Sequence, residues 1–308
     1  MAANRLSAQR LRVEVEGRSL ELSNLDKVLY PAAGFTKGEV IDYYTRVAPT
    51  LLPHLQDRPL TRIRYPNGVD EKSFFEKNKP AATPDWVRVE TLPAPGSTKK
   101  RETIDYVVAD DLPTLVWLAN LAALELHTPQ WKVGTHPDLM VVDLDPGAPA
   151  ALQQCCRVAL LMRDRLADDR VDSYPKTSGK KGMQLCCPIA GTQDADLVSA
   201  YAKRIAQELE KASPKTITSK MAKNLRPGKV FIDWSQNSAA KTTVAPYSLR
   251  AQPVPAISTP LTWDEVEEGA AGKRPASKPY TAAEVLKRVE QYGDLLAPLL
   301  DGGPEVPE

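Results

Sequence analysis

No stretch of this 308-residue sequence is apolar for long enough to cross a bilayer, and residues 1–12 hold no apolar run of the kind that opens a secretory signal. Both absences point to a cytoplasmic chain with no membrane partner. Cysteine is scarce: the four residues stand as adjacent pairs, Cys155-Cys156 and Cys186-Cys187. They lack the two-residue spacer that lets one loop wrap a zinc ion, and read as reduced packing thiols. Net charge is nearly absent, at +1, so a polyanionic partner must be attracted by a local patch and not by the field of the whole molecule. No fixed-period repeat occurs either, which excludes a solenoid or propeller.

The charge that is present is unevenly placed. Lys211, Lys215, Lys220, Lys223, Arg226 and Lys229 share one stretch without a carboxylate, whereas residues 264–308 hold ten acids to five bases. A basic groove beside an acidic segment is the expectation. Residues 11–22 alternate about Gly17 and read as a hairpin. Residues 36–52 carry Val40, Ile41, Tyr44, Val47 and Leu51 at helical spacing behind a Thr36/Glu39 capping pair. A second helix is expected to open at Asp110 or Asp111, before Pro113, and to run to about Leu126. Apolar strands are expected over 139–144, 183–189 and 230–234, with helices over 150–166, 194–211 and 281–292. The Pro-rich stretch 251–279 reads as an irregular wrap. This order fits an α/β (α+β) sheet with helices packed on it. It is read as one domain over 1–292, made of an N-terminal module to about 110, a core to about 250 and the wrap, followed by a disordered tail over 293–308.

Within the strand over 139–144, Asp143 and Asp145 stand two residues apart and so project from the same face. Such a pair suits Mg²⁺ or Mn²⁺, which take oxygen ligands and keep positions open for phosphate. Alone, an Asp-x-Asp pair is more often two solvated aspartates before a turn. A third acid, Asp233, sits among hydrophobic neighbours in Val230-Phe231-Ile232-Asp233-Trp234. With that strand beside the first, three carboxylates form the kind of site used for two-metal phosphoryl or nucleotidyl transfer.

A second constellation precedes a strand: Lys176-Thr177-Ser178-Gly179-Lys180-Lys181-Gly182 gathers two glycines, two hydroxyls and three lysines. Glycines free backbone N–H groups to curl around an anion, and the side chains add donors and charge. The glycine spacing and following helix of a nucleotide-binding P-loop are both missing, and a solvated basic turn remains the ordinary alternative. Downstream, Gln236 and Asn237 stand beside the third acid, and Arg250 offers a planar fork for phosphate or for a surface salt bridge.

Several ordered blocks resemble the archaeo-eukaryotic primase superfamily, and most closely the polymerase domain that bacterial end-joining ligases carry. They are Leu25-Asp26-Lys27-Val28-Leu29-Tyr30-Pro31, Tyr65-Pro66-Asn67-Gly68-Val69-Asp70, Phe74-Phe75-Glu76-Lys77-Asn78, Glu125-Leu126-His127-Thr128-Pro129-Gln130-Trp131, Asp143-Leu144-Asp145-Pro146-Gly147 and Asp233-Trp234-Ser235-Gln236-Asn237. The resemblance implies a primase-polymerase fold, with an RRM-like catalytic sheet, flanking helices and an N-terminal α/β module. It implies that Asp143, Asp145 and Asp233 hold two divalent ions, Mg²⁺ or Mn²⁺. Ser178, Lys181, Gln236 and Arg250 are then the holders of a nucleoside triphosphate (NTP or dNTP), with His127 near its sugar and phosphate. Asn24, Lys27 and Lys37 match residues that grip a 5′-phosphate across a gap, and Phe74 and Phe75 match a pair that stacks on the template. On spacing alone, His127 reads as the end of an apolar helix, and at least one of the two phenylalanines reads as core.

One position departs from the pattern. Members usually carry histidine six residues after the loop serine, and here Gln184 stands among the nucleotide-binding positions. Glutamine donates and accepts hydrogen bonds but never becomes cationic. The implied function is a stand-alone, nucleoid-associated primase-polymerase that adds nucleotides, ribonucleotides by preference, at short gaps or broken double-stranded ends bearing a 5′-phosphate. No Lys-x-Asp-Gly adenylation motif occurs, so a separate DNA ligase and an end-binding protein are the implied partners. A weakly catalytic end-binding or synapsis module, and a two-metal phosphohydrolase, are the alternatives built on the same residues.

Overall fold

The computed structural model describes residues 10–94, 102–273 and 279–308, and the chain divides into two compact units. The first unit takes residues 1–126 and 248–255, the second 127–247 and 256–308. Of the sequence expectations, the start of the N-terminal segment and part of the Pro-rich wrap, residues 274–278, lie outside the described residues. No helix among the described residues is long and apolar enough to cross a membrane.

In the first unit, β1 (Arg10–Val15) and β2 (Arg18–Ser23) form the expected antiparallel hairpin. Two short strands, β3 (Val28–Tyr30) and β4 (Phe35–Thr36), lead into α1 (Lys37–Leu55). Thr36 caps that helix, its side chain accepting from the Glu39 amide while the Glu39 carboxylate accepts from the Thr36 amide. The unit's sheet is built from β5 (Pro59–Arg64), β6 (Phe74–Glu76), β7 (Val89–Pro93), β8 (Thr103–Val108) and β9 (Ala123–Thr128), with β5 lying between β9 and β8. The core joins Val40, Tyr44, Val47 and Leu51 of α1 with Leu60, Leu115, Leu118 and Leu124, all fully buried. The Tyr44 hydroxyl is satisfied there, donating to the Leu124 carbonyl at 2.6 Å and accepting from the Leu249 amide at 3.1 Å.

The helix expected to reach Leu126 stops early. α2 spans Leu112–Asn120, opened by Asp111 as N-cap, and Ala122 then turns with φ of +56° into β9. An apolar run of this length is helix or strand by tertiary context, because its composition serves either. His127 therefore lies on a strand and not at a helix end.

The second unit is centred on a five-stranded sheet. Its members are β10 (Leu139–Pro146), β11 (Tyr174–Thr177), β12 (Met183–Pro188), β13 (Ile217–Thr218) and β14 (Val230–Asp233), in the order β11-β12-β10-β14-β13. All pairs are antiparallel except β13 with β14. The expected third strand ends at Asp233, and Trp234–Asn237 is a turn of 3-10 helix. Helices α3 (Leu152–Asp168) and α4 (Ala195–Ala212) pack on this sheet, with Asp194 capping α4. The four cysteines are buried and form no disulfide. β15 (Thr243–Val244) pairs with the last two residues of β9, His127 and Thr128.

Two expectations for the C-terminal part are corrected. The stretch read as irregular wrap contains β17 (Pro255–Ile257), which pairs with β16 (Leu249–Ala251), and a helix, α5 (Trp263–Ala270), capped reciprocally by Thr262 and Glu265. The signal Thr-x-x-Glu was present in the sequence but was masked by flanking prolines. After α6 (Ala282–Tyr292), residues 293–308 are not a disordered tail. Leu296 and Leu299 cluster with Val141 of β10 and Cys186 of β12, and Val306 is buried. Three scattered apolar residues look too few to anchor a tail until the sheet face that receives them exists.

Candidate active site

Side-chain alternation divides the central sheet of the second unit into two faces. Met140, Val142 and Leu144 of β10 are buried on one, while Asp143 and Asp145 project from the other. On the acid-bearing face, directly opposed residues form a row across four strands: Lys176 pairs with Gln184, Gln184 with Asp143, and Asp143 with Asp233. Asp145 is one step along β10, opposite Phe231. The three acids predicted from sequence are thus brought together by register.

Their electrostatics are those of crowded anions. Burial first, then Asp145 and Asp233, raise the pKa of Asp143, while the hydrogen bond from Gln184 and the charge of Lys176 oppose the rise. Asp145 is raised by burial and by Asp233, against the pull of Arg226 and Lys181. The Asp233 carboxylate is turned into its own 3-10 turn, accepting from Ser235 N (3.1 Å), Ser235 Oγ (2.5 Å) and Gln236 Nε2 (2.8 Å). As the side chains are turned, no three acidic, histidine or cysteine side chains among the described residues stand ready to hold a metal ion. The donor set still fits hard divalent cations, being all carboxylate oxygen, and the mutual repulsion is what such cations relieve.

The glycine-lysine loop lies against the acid-bearing strand. A Cβ on Gly182 would meet the Leu144 carbonyl oxygen at 2.1 Å, so only glycine allows this approach. Ser178 organises the turn: its amide donates to the Gly182 carbonyl, and its Oγ accepts from the amides of Lys180 and Gly182. Lys180 and Lys181 are exposed, but Lys176 is not a loop cation, since its side chain is buried in the sheet. Gln236 is committed to Asp233 in this arrangement, and Lys241 Nζ lies 4.0 Å from the same carboxylate. From sequence Asn237 reads only as a neighbour of the third acid, yet it holds the site together. Its amide bonds both backbone groups of Val141, at 2.8 and 2.9 Å, and the Trp234 carbonyl at 3.0 Å.

His127 belongs to the second unit, half-buried on β9 and paired with Val244. Arg250 falls in the first unit, where its guanidinium lies 3.5 Å from the buried Glu125 carboxylate and its Nε has no hydrogen-bond partner.

The first unit carries a separate cationic cluster at the start of α1. Asn24, with φ of +54°, turns the chain so that the Lys27 amide reaches its carbonyl, and Lys27 Nζ donates to Asn67 Oδ1 at 2.9 Å. Lys37 is 6% exposed and donates to the Ser23 carbonyl at 2.6 Å. Burial, then Lys27 and Arg64, push its pKa down to about 8. Arg64 is a cation that sequence reasoning missed, because only pairing of β5 with β6 brings it beside Glu76 and near Lys37. Helix N-termini and converging cations together make an anion site. Phe74 and Phe75 are 42% and 59% exposed, so neither is core. β6 has only three residues and pairs with β5.

A family model described as the LigD primase-polymerase domain matches residues 36–296. The chain is 44% identical over 284 residues to the multifunctional non-homologous end joining protein LigD of Mycolicibacterium smegmatis, covering 91% of this chain and 36% of that protein. It is 32% identical over 276 residues to the bifunctional non-homologous end joining protein LigD of Bacillus subtilis, covering 89% of this chain and 43% of that one. It therefore spans well under half the length of these relatives. Among solved structures, the polymerase domain from Mycobacterium tuberculosis ligase D in complex with DNA superposes with a TM-score of 0.85 at 42% identity, over 92% of this chain and 98% of that one. By its sequence and by its fold, the chain belongs to the LigD primase-polymerase family and is a nucleotidyltransferase of the DNA polymerase class.

Proposed function

We propose that the chain fills short gaps or extends broken double-stranded ends in DNA repair by end joining, adding nucleotides, ribonucleotides by preference, to a primer 3′-hydroxyl under template direction. The observation that carries this reading is the register of the acid-bearing face, which sets Asp143 opposite Asp233 and Asp145 one step away, with the Ser178 loop pressed on the same strand. Asp143, Asp145 and Asp233 would hold two divalent ions, Mg²⁺ or Mn²⁺. When bound, the ions neutralise triphosphate charge and lower the pKa of the attacking hydroxyl.

The chain's own groups do the rest. Backbone amides and the ammonium groups of the loop bind phosphate oxygens, and Gln184 directs its amide donor into the acid row. In the first unit, Lys27, Lys37 and Asn24 grip the 5′-phosphate that marks the far side of a gap. Phe74 and Phe75, exposed at otherwise unfavourable cost, offer faces on which bases stack for about 1–3 kcal/mol each. A DNA ligase and an end-binding protein are the partners this reading requires.

Primer extension on a one-nucleotide gap, with and without a downstream 5′-phosphate and with each nucleotide type plus Mn²⁺, tests the proposal. Asp145→Ala and Asp233→Ala should each abolish extension while leaving DNA binding intact. Retained synthesis by either variant sinks the assignment of the acids, and equal extension of phosphorylated and unphosphorylated gaps sinks the gap reading. Binding without turnover by the wild-type chain would leave an end-binding module, and loss of DNA in place of extension a phosphohydrolase.

A further inference from the structure

Lys176 is the residue on the acid-bearing face that the proposed function leaves unused. It is a lysine 1% exposed, at the far end of the row that runs through Gln184 and Asp143 to Asp233. Its ammonium donates to Gln184 Oε1 at 2.5 Å, to the Val244 carbonyl at 3.0 Å and to Ser258 Oγ at 2.7 Å. Burying an ammonium is costly, and an apolar side chain packs such a place without that cost. The contact with Gln184 has a consequence for the neighbouring acid. An ammonium only donates, so it fixes the Gln184 amide with its oxygen toward Lys176. The NH₂ group is then turned the other way, toward its cross-strand neighbour Asp143, whose anion it favours. Glutamine itself has no charge to offer an incoming triphosphate.

We propose that Lys176 is a positioning residue of the nucleotide site, which through Gln184 aims a donor along the acid row and backs it with a buried positive charge that glutamine lacks. The proposal rests on the nucleotidyl-transfer reading above. A cation set behind three carboxylates has two opposite effects. It favours the anionic triphosphate and disfavours a bare metal cation.

The test uses the whole chain as wild type, Lys176→Gln, Gln184→His and the double variant, with ATP–Mn²⁺ and Mn²⁺ alone titrated calorimetrically at pH 7 and melting temperatures measured alongside. Lys176→Gln should bind ATP–Mn²⁺ about tenfold more weakly, while Mn²⁺ alone binds no more weakly than to wild type. Gln184→His removes the amide that Lys176 aims and should weaken ATP–Mn²⁺ binding as well. If the two residues act as one unit, the double variant should bind ATP–Mn²⁺ no more weakly than Lys176→Gln alone. Equal ATP–Mn²⁺ binding by wild type and Lys176→Gln overturns the proposal. So does a parallel loss of both affinities with a lowered melting temperature, which marks a structural peg. Should Lys176→Gln fail to fold, Ser258→Ala decides: it keeps the ammonium and removes one acceptor, so wild-type affinity supports the charge and lost affinity overturns it. A wild-type chain that binds no ATP–Mn²⁺ overturns the functional reading itself, and this proposal with it.

Discussion

Lys37 should trade stability for phosphate binding, and pH should expose the trade. Its ammonium is held in a nearly closed site with Lys27 and Arg64 for company, and its pKa falls from 10.5 to about 8. At about 1.4 kcal/mol per pKa unit, keeping the charge below pH 8 costs the folded protein about 3 kcal/mol. The folded value lies below the unfolded one, so between about pH 8 and 10.5 the unfolded chain holds the extra proton and stability rises with pH. Replacing the residue by methionine removes that cost but leaves the Ser23 carbonyl, 2.6 Å from Nζ, without this donor. Setting about 1 kcal/mol for the lost hydrogen bond against the gain, Lys37→Met should stabilise the free protein by about 1–2 kcal/mol in urea unfolding. A 5′-phosphate stays dianionic throughout this range and restores the ammonium, so its binding takes up a proton above pH 8. The affinity gained from a 5′-phosphate on gapped DNA, measured as a ratio of dissociation constants with and without it, should fall by at least about tenfold from pH 7.5 to 9.5. This fall with pH should vanish in Lys37→Met. A destabilised Lys37→Met protein, or a phosphate increment unchanged over that range, refutes the account.

Three further outcomes follow from the second unit. Gly182→Ala should cost about 3 kcal/mol or more and displace the loop, because its Cβ would meet the Leu144 carbonyl oxygen at 2.1 Å; a melting temperature like that of wild type would contradict this packing. Asn237→Ala removes two bonds that tie the 3-10 turn to β10, at 2.8 and 2.9 Å, and one within the turn at 3.0 Å, and should cost about 2–3 kcal/mol in denaturant while slowing primer extension. Stopping the chain after Tyr292 strips Leu296 and Leu299 from Val141 and Cys186, and should cost about 3–5 kcal/mol by urea unfolding, whereas a disordered tail would cost nothing.

Local signals of short reach were legible. The reciprocal cap at Thr36/Glu39 marked the start of one helix, and the i, i+2 spacing of Asp143 and Asp145 placed both on one face. The strand holding Asp233 was also readable from one acid among hydrophobic neighbours. What placed Asp233 opposite Asp143 was strand register, and register is chosen by the partner strand.

The residues 112–128 show where local reading ends. Their apolar pattern suits a helix throughout, and the break at Ala122 into β9 is imposed by a sheet that sequence neighbours do not supply. Lys176 looked like one of three loop cations because the groups that enclose it are far along the chain, Val244 by 68 positions and Ser258 by 82. Leu296 and Leu299 looked like a tail for the same reason. By itself the sequence held the groups on which the proposed chemistry draws: three carboxylates, a glycine-lysine loop and two lysines flanking the turn before α1. Only the tertiary structure decided which of those charges face one another and which are buried, because burial and register are properties of neighbours brought from a distance.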